Sequence, residues 1–262
     1  MQRNKYFITL IDTATRYTFI SFLAARSQVP HILTTSIEAL ARFLTKYPTI
    51  ITTDNAKEYT AKYVQQFLAK RGIQFRPSTP YTPQENALAE RINRTIMNSA
   101  RAALAHSKLP PAYWEDAVRD AVFKYNISYH HAIQNIPYTL WHGTPPDIDK
   151  LLIFGQLGTV PILKTPKQKL QPRAQTVRYM YDIDPKHVKV YNLVTRTYQT
   201  VRTINFAPYD RNTDPTCTTA AAFSTKPKRH KIPNTITSTT TPPPPGFSLV
   251  VNKVFYHTRY AP

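Results

Sequence analysis

Residues 51–94 read ITTDNAKEYTAKYVQQFLAKRGIQFRPSTPYTPQENALAERINR. A short β-branched run over residues 49–53 delivers Asp54, and Glu90 follows inside a helical pattern with 35 residues between the two carboxylates. A third acid, Asp12, ends an earlier apolar run. If the strands bearing Asp12 and Asp54 lie side by side and the helix bearing Glu90 crosses them, three acidic groups converge. Close carboxylates repel and raise one another's pKa, so such a cluster asks for a metal.

Working outward, the N-terminal side reads as a hairpin. Residues 6–11 (YFITLI) form a continuous apolar, β-prone run of the kind found at a sheet's buried centre. Residues 13–16 turn, and residues 17–23 (YTFISFL) return antiparallel, with Asp12 at the lip. Taken alone, Asp12 has a commoner fate, as a turn residue accepting backbone hydrogen bonds. A helix follows with Leu33, Ile37, Leu40 and Leu44 on one face, ended by Pro48. Beyond Asp54, a second helix from about Thr60 carries Val64, Phe67 and Leu68 on one side. Lys70, Arg71 and Gly72 close it, cations at the negative end of the dipole and then a left-handed cap. Alternation of strand and helix predicts an α/β layered domain.

Residues 73–76 make one more short strand before three prolines. Thr82 as N-cap, Pro83 at the first helical position and Glu85 in a capping box start the long helix. Leu88, Ile92, Ile96, Ala100 and Leu104 form its predicted buried stripe, with Glu90, Asn93, Arg94, Met97 and Arg101 roughly opposite. Judged alone, Glu90 reads as a surface glutamate paired with Arg94, a pairing worth a few tenths of a kcal/mol. A further amphipathic helix carries Trp114, Ala117, Val118, Ala121, Val122 and Tyr125, with Trp114 as a core anchor.

Composition bounds the partners. Lys and Arg number 34 against 15 Asp and Glu, a formal charge of +19 over 262 residues, and such an excess favours a polyanion, nucleic acid first. There is no lipidation signal and no apolar run near the roughly 18 residues of a span. Cys217 is the only cysteine, which excludes an intrachain disulfide and a cysteine-rich zinc site. His130 and His131 read as loop or surface histidines. No signal peptide precedes the first strand.

The succession FITLIDTATRY, TTDNAKEY, TPYTPQENALAERINRT, PAYWEDAV, then PYTLWHGTPPD with IFGQ, resembles the integrase of copia-type LTR retrotransposons. The likeness continues through KLQPRAQTVRYM and VKVYNLVTRTYQTVRTINF, similar to the small β-module after the core, and covers roughly residues 5–208. What the resemblance implies is an RNase H-like α/β core, a mixed sheet flanked by helices, with Asp12, Asp54 and Glu90 as catalytic triad and metal ligands. Two Mg²⁺ or Mn²⁺ ions held by hard oxygen ligands suit in-line displacement at phosphorus, here by a 3′-hydroxyl of element DNA on a target phosphodiester. Lys57, Arg76, Arg91, Arg94 and Arg101 become the DNA-phosphate candidates. Joining two DNA ends implies a homo-multimer, and a host tethering factor and a location in nucleus and cytoplasm are further expectations.

Two departures stand out. Ala56 and Ala87 replace glycines usual in the family, which is costly where the backbone needs positive φ. The family's His-His-Cys-Cys zinc domain is absent before the core, and the chain reads as a truncated piece of a Pol polyprotein. The expected organisation is a catalytic core over 1–145, a β-rich module over 146–208 and a low-complexity, disordered basic tail over 209–262, with KPKRHK at 226–231 and a possible strand pair in FSLVVNKVFYHTRY. Three functions fit: a polynucleotidyl transferase, a catalytically silent DNA-binding remnant, and a nuclease using water on the same fold. The spacing of Asp54 and Glu90 with the TPQEN block favours transfer.

Overall fold

Apolar β-branched and aromatic residues make Tyr6–Asp12 a strand (β1), and the turn after it returns the chain as Thr18–Leu23 (β2), paired antiparallel with Tyr6 opposite Leu23. The computed structural model describes residues 4–53, 56–77, 83–148, 151–162, 173–184, 187–202, 204–206 and 247–255, apart from the side chains of 83–86 and 255. Helix α1, Val29–Leu44, buries Val29, Leu33, Ile37 and Leu40 along one stripe, and Thr45 ends it in the left-handed region at φ 56°. The short strand Ile50–Thr53 (β3) then leads to helix α2, Lys62–Lys70, which buries Val64, Phe67 and Leu68. Gly72 closes α2 at φ +65°, as the sequence predicts, and Gln74–Pro77 (β4) pairs parallel to β3. The long helix α3 is Pro83–Ser107, followed by α4, Trp114–Ile127, and the single turn α5, Pro137–His142. Thr82 and the side chain of Glu85, to which the capping box was assigned, lie outside the described residues.

The chain divides into two units. One holds Met1–Arg101, Val118–Asp147 and Thr241–Pro262; the other holds Ala102–Ala117 and Ile148–Thr240. The second unit is built on five strands, Leu157–Pro161 (β5), Ala174–Asp184 (β6), His187–Asn192 (β7), Thr197–Val201 (β8) and Asn205–Phe206 (β9). Their order is β8-β7-β6-β5-β9, all antiparallel, the β-rich module expected after the core. Val160, Val177 and Val190 make its small apolar centre. Within this unit Gly155 of the IFGQ motif sits at φ +77°, its N–H donating to the Tyr179 carbonyl at 2.9 Å. A Cβ there would come within 2.4 Å of the Ser107 Cβ. Gly155→Ala combines that clash with a left-handed backbone and is expected to cost about 2 to 4 kcal/mol, read as a lowered urea midpoint of this unit. A midpoint within error of wild type would show that the close approach relaxes.

The first unit's sheet is completed from the far end of the chain. Ser248–Phe255 (β10) runs antiparallel to β1, with Thr9 opposite Asn252 and Asp12 opposite Leu249, and parallel to β3, with Val251 opposite Thr53. The strand order is β2-β1-β10-β3-β4, a mixed sheet with helices on its faces, the RNase H-like arrangement the sequence predicts. Ile8, Leu10, Ile51, Leu249 and Val251 point to the face that carries the core with α1 and α2, and Trp141 joins them, stacked on Tyr17 at 5.3 Å. On the opposite face, the Thr9 hydroxyl donates to Asn93 Oδ1 of α3 at 3.0 Å. Lys253 of β10 bridges to Glu58 at 2.6 Å, and this hydrogen bond holds the glutamate below the usual carboxylate range.

Within residues 209–262, expected as a low-complexity tail with a strand pair in FSLVVNKVFYHTRY, Ser248–Phe255 is instead a strand of the first unit's sheet. The strand is central because Leu249 and Val251 bury their side chains in the core beside Ile8, Leu10 and Ile51. Residues 209–246 and 256–262, KPKRHK and Cys217 included, lie outside the described residues.

Candidate functional site

The topology separates two of the three acids that the sequence groups together. β10 lies between β1 and β3, so the Asp12 and Asp54 strands are not neighbours; two strand spacings, about 10 Å, divide them. Direction adds to the separation. Asp12 pairs across Leu249 with the Ile51 row, whereas β3 runs on from there to Thr53 before Asp54 follows. Asp54 itself lies outside the described residues.

Asp12 takes the turn role instead. It is 1% exposed, and its Oδ2 accepts from the Thr15 N–H at 2.8 Å and the Thr15 hydroxyl at 2.6 Å. The Arg16 N–H donates to the Asp12 carbonyl at 2.9 Å, closing the turn with Arg16 at φ 63°. One carboxylate oxygen of Asp12 thus serves the hairpin, while its Oδ1 is buried with no hydrogen-bond partner among the described residues.

Other residues take its place beside the helix. Asn252 of β10 is 8% exposed and directly opposite Thr9, and residues directly opposed on neighbouring strands share a face. Since Thr9 bonds Asn93, that is the face α3 crosses. Asn252 follows Val251, the partner of Thr53, just as Asp54 follows Thr53 in the chain. Glu90 stands on α3 one turn before Asn93 and is exposed, its carboxylate open to solvent. Asn93 is 5% exposed, and its Nδ2 is a buried donor with no acceptor among the described residues. An orphan N–H of this kind suits an incoming carboxylate or phosphate oxygen.

Asn93 and Met97 were expected on the outer face of α3, yet both are buried, along with Ile92, Ile96 and Ala100. The packed stripe is wider than the apolar pattern shows. Asn93 is polar and Asn252 lies near the far end of the chain, so neither carried a sequence signal beyond position. The basic candidates are all at the surface: Lys57 in the turn after β3, Arg76 on β4, and Arg91, Arg94 and Arg101 along α3. Arg101 donates to Asn98 Oδ1 at 2.9 Å. Ala56 and Ala87 are not among the described residues with positive φ, so the alanines carry no left-handed strain at those positions.

Metal chemistry has a donor set of limited size. Among the described residues no three His, Cys, Asp or Glu side chains come together. The carboxylates of Asp54 and Glu90 with the Asn252 amide oxygen are hard donors of the kind Mg²⁺ or Mn²⁺ takes. They supply two charges where the sequence reading counts three.

Residues 1–83 match the family described as Integrase core domain. The chain is 28% identical over 239 residues to the retrovirus-related Pol polyprotein from transposon TNT 1-94 of Nicotiana tabacum, covering 90% of this chain and 18% of that protein. It is 33% identical over 153 residues to the Pol polyprotein from transposon RE1 of Arabidopsis thaliana, covering 58% of this chain and 10% of that protein. The chain thus spans less than a fifth of either relative. Among solved structures, the HTLV-2 integrase catalytic core domain in complex with magnesium is similar at a TM-score of 0.42 and 18% identity, over 53% of this chain and 86% of that one.

Proposed function

We propose that this chain, which belongs to the retrotransposon integrases, binds DNA and carries out metal-dependent strand transfer through Asp54 and Glu90. The observation that supports the reading is the Thr9–Asn93 hydrogen bond. It ties α3 to the β1 row of the sheet, and Glu90 lies one turn before Asn93 on that helix.

Asp54, Glu90 and the Asn252 amide oxygen would hold a divalent ion, which supplies Lewis-acid polarisation of a phosphoryl oxygen. In the transfer, a 3′-oxygen of one DNA forms a bond to phosphorus of another, the target's own 3′-oxygen leaves, and the hydroxyl proton passes to solvent or to the leaving oxygen. The chain's part is placement. Buried Asn93 keeps an Nδ2–H with no acceptor among the described residues, and the β1–β10 register holds Asn252 opposite Thr9.

A second reading, a catalytically silent DNA-binding protein, is favoured by one observation. One oxygen of Asp12 is committed to its turn, and the buried residue beside the Asp54 strand is a neutral asparagine. Thermal unfolding with Mn²⁺ separates the two. Under the transferase reading, a site filled at a hundred times its Kd adds about 2.7 kcal/mol, a rise of about 5 to 10 °C for a chain of this size. Asp54→Asn abolishes the rise and Asp12→Asn keeps it. No rise in the wild type would sink the metal site and leave the silent reading.

A further inference from the structure

Away from the Asn252 row, the β1–β2 turn, the first turns of α3, the end of α4 and residues 130–132 enclose a cleft of roughly 460 Å³. Its polar lining is Arg16, Arg91, Thr95, Tyr125, His130 and His131, and among the described residues no acidic side chain lines it. Arg16 is held in place from both sides of its strand end. The Asp12 carboxylate builds the turn, and the Arg16 backbone takes φ 63°, a region where asparagine or glycine is less strained than arginine. Asn126 pins the adjoining strand, accepting from the Thr18 N–H and donating to the Thr18 carbonyl, both at 2.9 Å. The Arg16 Nε is buried and has no partner among the described residues.

The remaining wall is similarly ordered. His130 Nε2 meets the Tyr125 carbonyl at 2.9 Å and its ring packs edge-on to Tyr125 at 4.3 Å. Burial, with the Arg16 charge adding to it, holds His130 below its usual range, and burial pushes the Tyr125 hydroxyl up to about 12. Tyr125 therefore stays a neutral donor at physiological pH. The cleft offers fixed cations, an uncommitted guanidinium N–H and hydroxyl donors, the recognition chemistry of a phosphate oxygen.

We infer that this cleft is a DNA-backbone site, with Arg16 and Arg91 contacting phosphates and Asp12 positioning Arg16 through the turn that its Oδ2 builds. The inference rests on the DNA-acting reading and extends it to residues outside the carboxylate site. Removing one cation that neutralises a phosphate lowers the slope of log K against log salt by about 0.9 on duplex DNA.

The experiment is a salt titration of duplex DNA binding by fluorescence anisotropy, in EDTA, with the full chain. Arg16→Gln and Arg91→Gln each flatten the slope by about 0.9, and the double variant by about twice that. Arg16→Lys, with the same backbone strain and the charge kept, stays at the wild-type slope, which separates charge from folding. Lys70→Gln, an equal charge change at the exposed end of α2, also stays at wild type. Wild-type slopes in both arginine variants, or an equal flattening in Lys70→Gln, would overturn the site. Because no metal is present, a failure of strand transfer leaves this result standing, and a failure here leaves the carboxylate site untouched.

Discussion

Val251→Asp unfolds the first unit. Val251 is fully buried in β10, the central strand, and packs in the cluster with Ile8, Leu10 and Ile51. Leu249, Val250 and Val251 together bury three aliphatic side chains, on the order of 5 to 9 kcal/mol of apolar transfer. A domain's whole stability is about 5 to 15 kcal/mol, so an unpaired carboxylate among them exceeds what the unit can absorb. The expected result is loss of the cooperative transition reported by Trp141 fluorescence at 25 °C, while Val194→Asp, at a site 73% exposed in the second unit, leaves the midpoint unchanged. Deleting residues 247–262 gives the same loss, since β1 and β3 are each left with an open edge. A deleted chain that unfolds at the wild-type midpoint would show that β10 is dispensable.

The second large effect is a gain. Asn252→Asp places a third carboxylate in the row that follows Val251 and Thr53, on the face crossed by α3. Without metal, the added charge beside Asp54 lowers stability at neutral pH, because neighbouring carboxylates repel. With Mn²⁺ the order reverses, and affinity rises roughly tenfold, about 1.4 kcal/mol. Calorimetric titration of Mn²⁺ into wild type, Asn252→Asp and Asn252→Ala reads this directly. If Asn252→Asp folds and binds Mn²⁺ no better than wild type, Asn252 does not face the metal.

Much of the first unit was legible in order along the chain. The β1–β2 hairpin, the α1 stripe of Leu33, Ile37 and Leu40, and the Gly72 cap follow from local periodicity and backbone preference, which sequence carries directly. Strand order is a different kind of information. Nothing in the period of residues 6–11 or 49–53 says whether those strands touch, and the strand between them comes from the other end of the chain. That is why Asp12 was grouped with Asp54. An Asp at a strand end reads alike whether it serves a turn or a metal, and only the pairing register with Leu249 and the Thr15 bonds decide. FSLVVNKVFYHTRY reads as strand-forming, but its partners lie about two hundred residues or more upstream, beyond a Pro- and Thr-rich stretch that reads as a tail.

The neutral Asn252 also ties the two functional readings together. With Asp12 holding the turn that carries Arg16, the proposed DNA-backbone cleft does not depend on whether the carboxylates hold an ion.

The most direct measurement is strand transfer itself, joining a labelled DNA end to a target duplex in Mn²⁺, with wild type beside Asp12→Asn, Asp54→Asn and Glu90→Gln. The account predicts that Asp54→Asn and Glu90→Gln fall to background while still binding DNA, and that Asp12→Asn, whose amide oxygen can still accept from Thr15, keeps its transfer. Loss of transfer in a folded, DNA-binding Asp12→Asn, or wild-type transfer in Asp54→Asn, would contradict it.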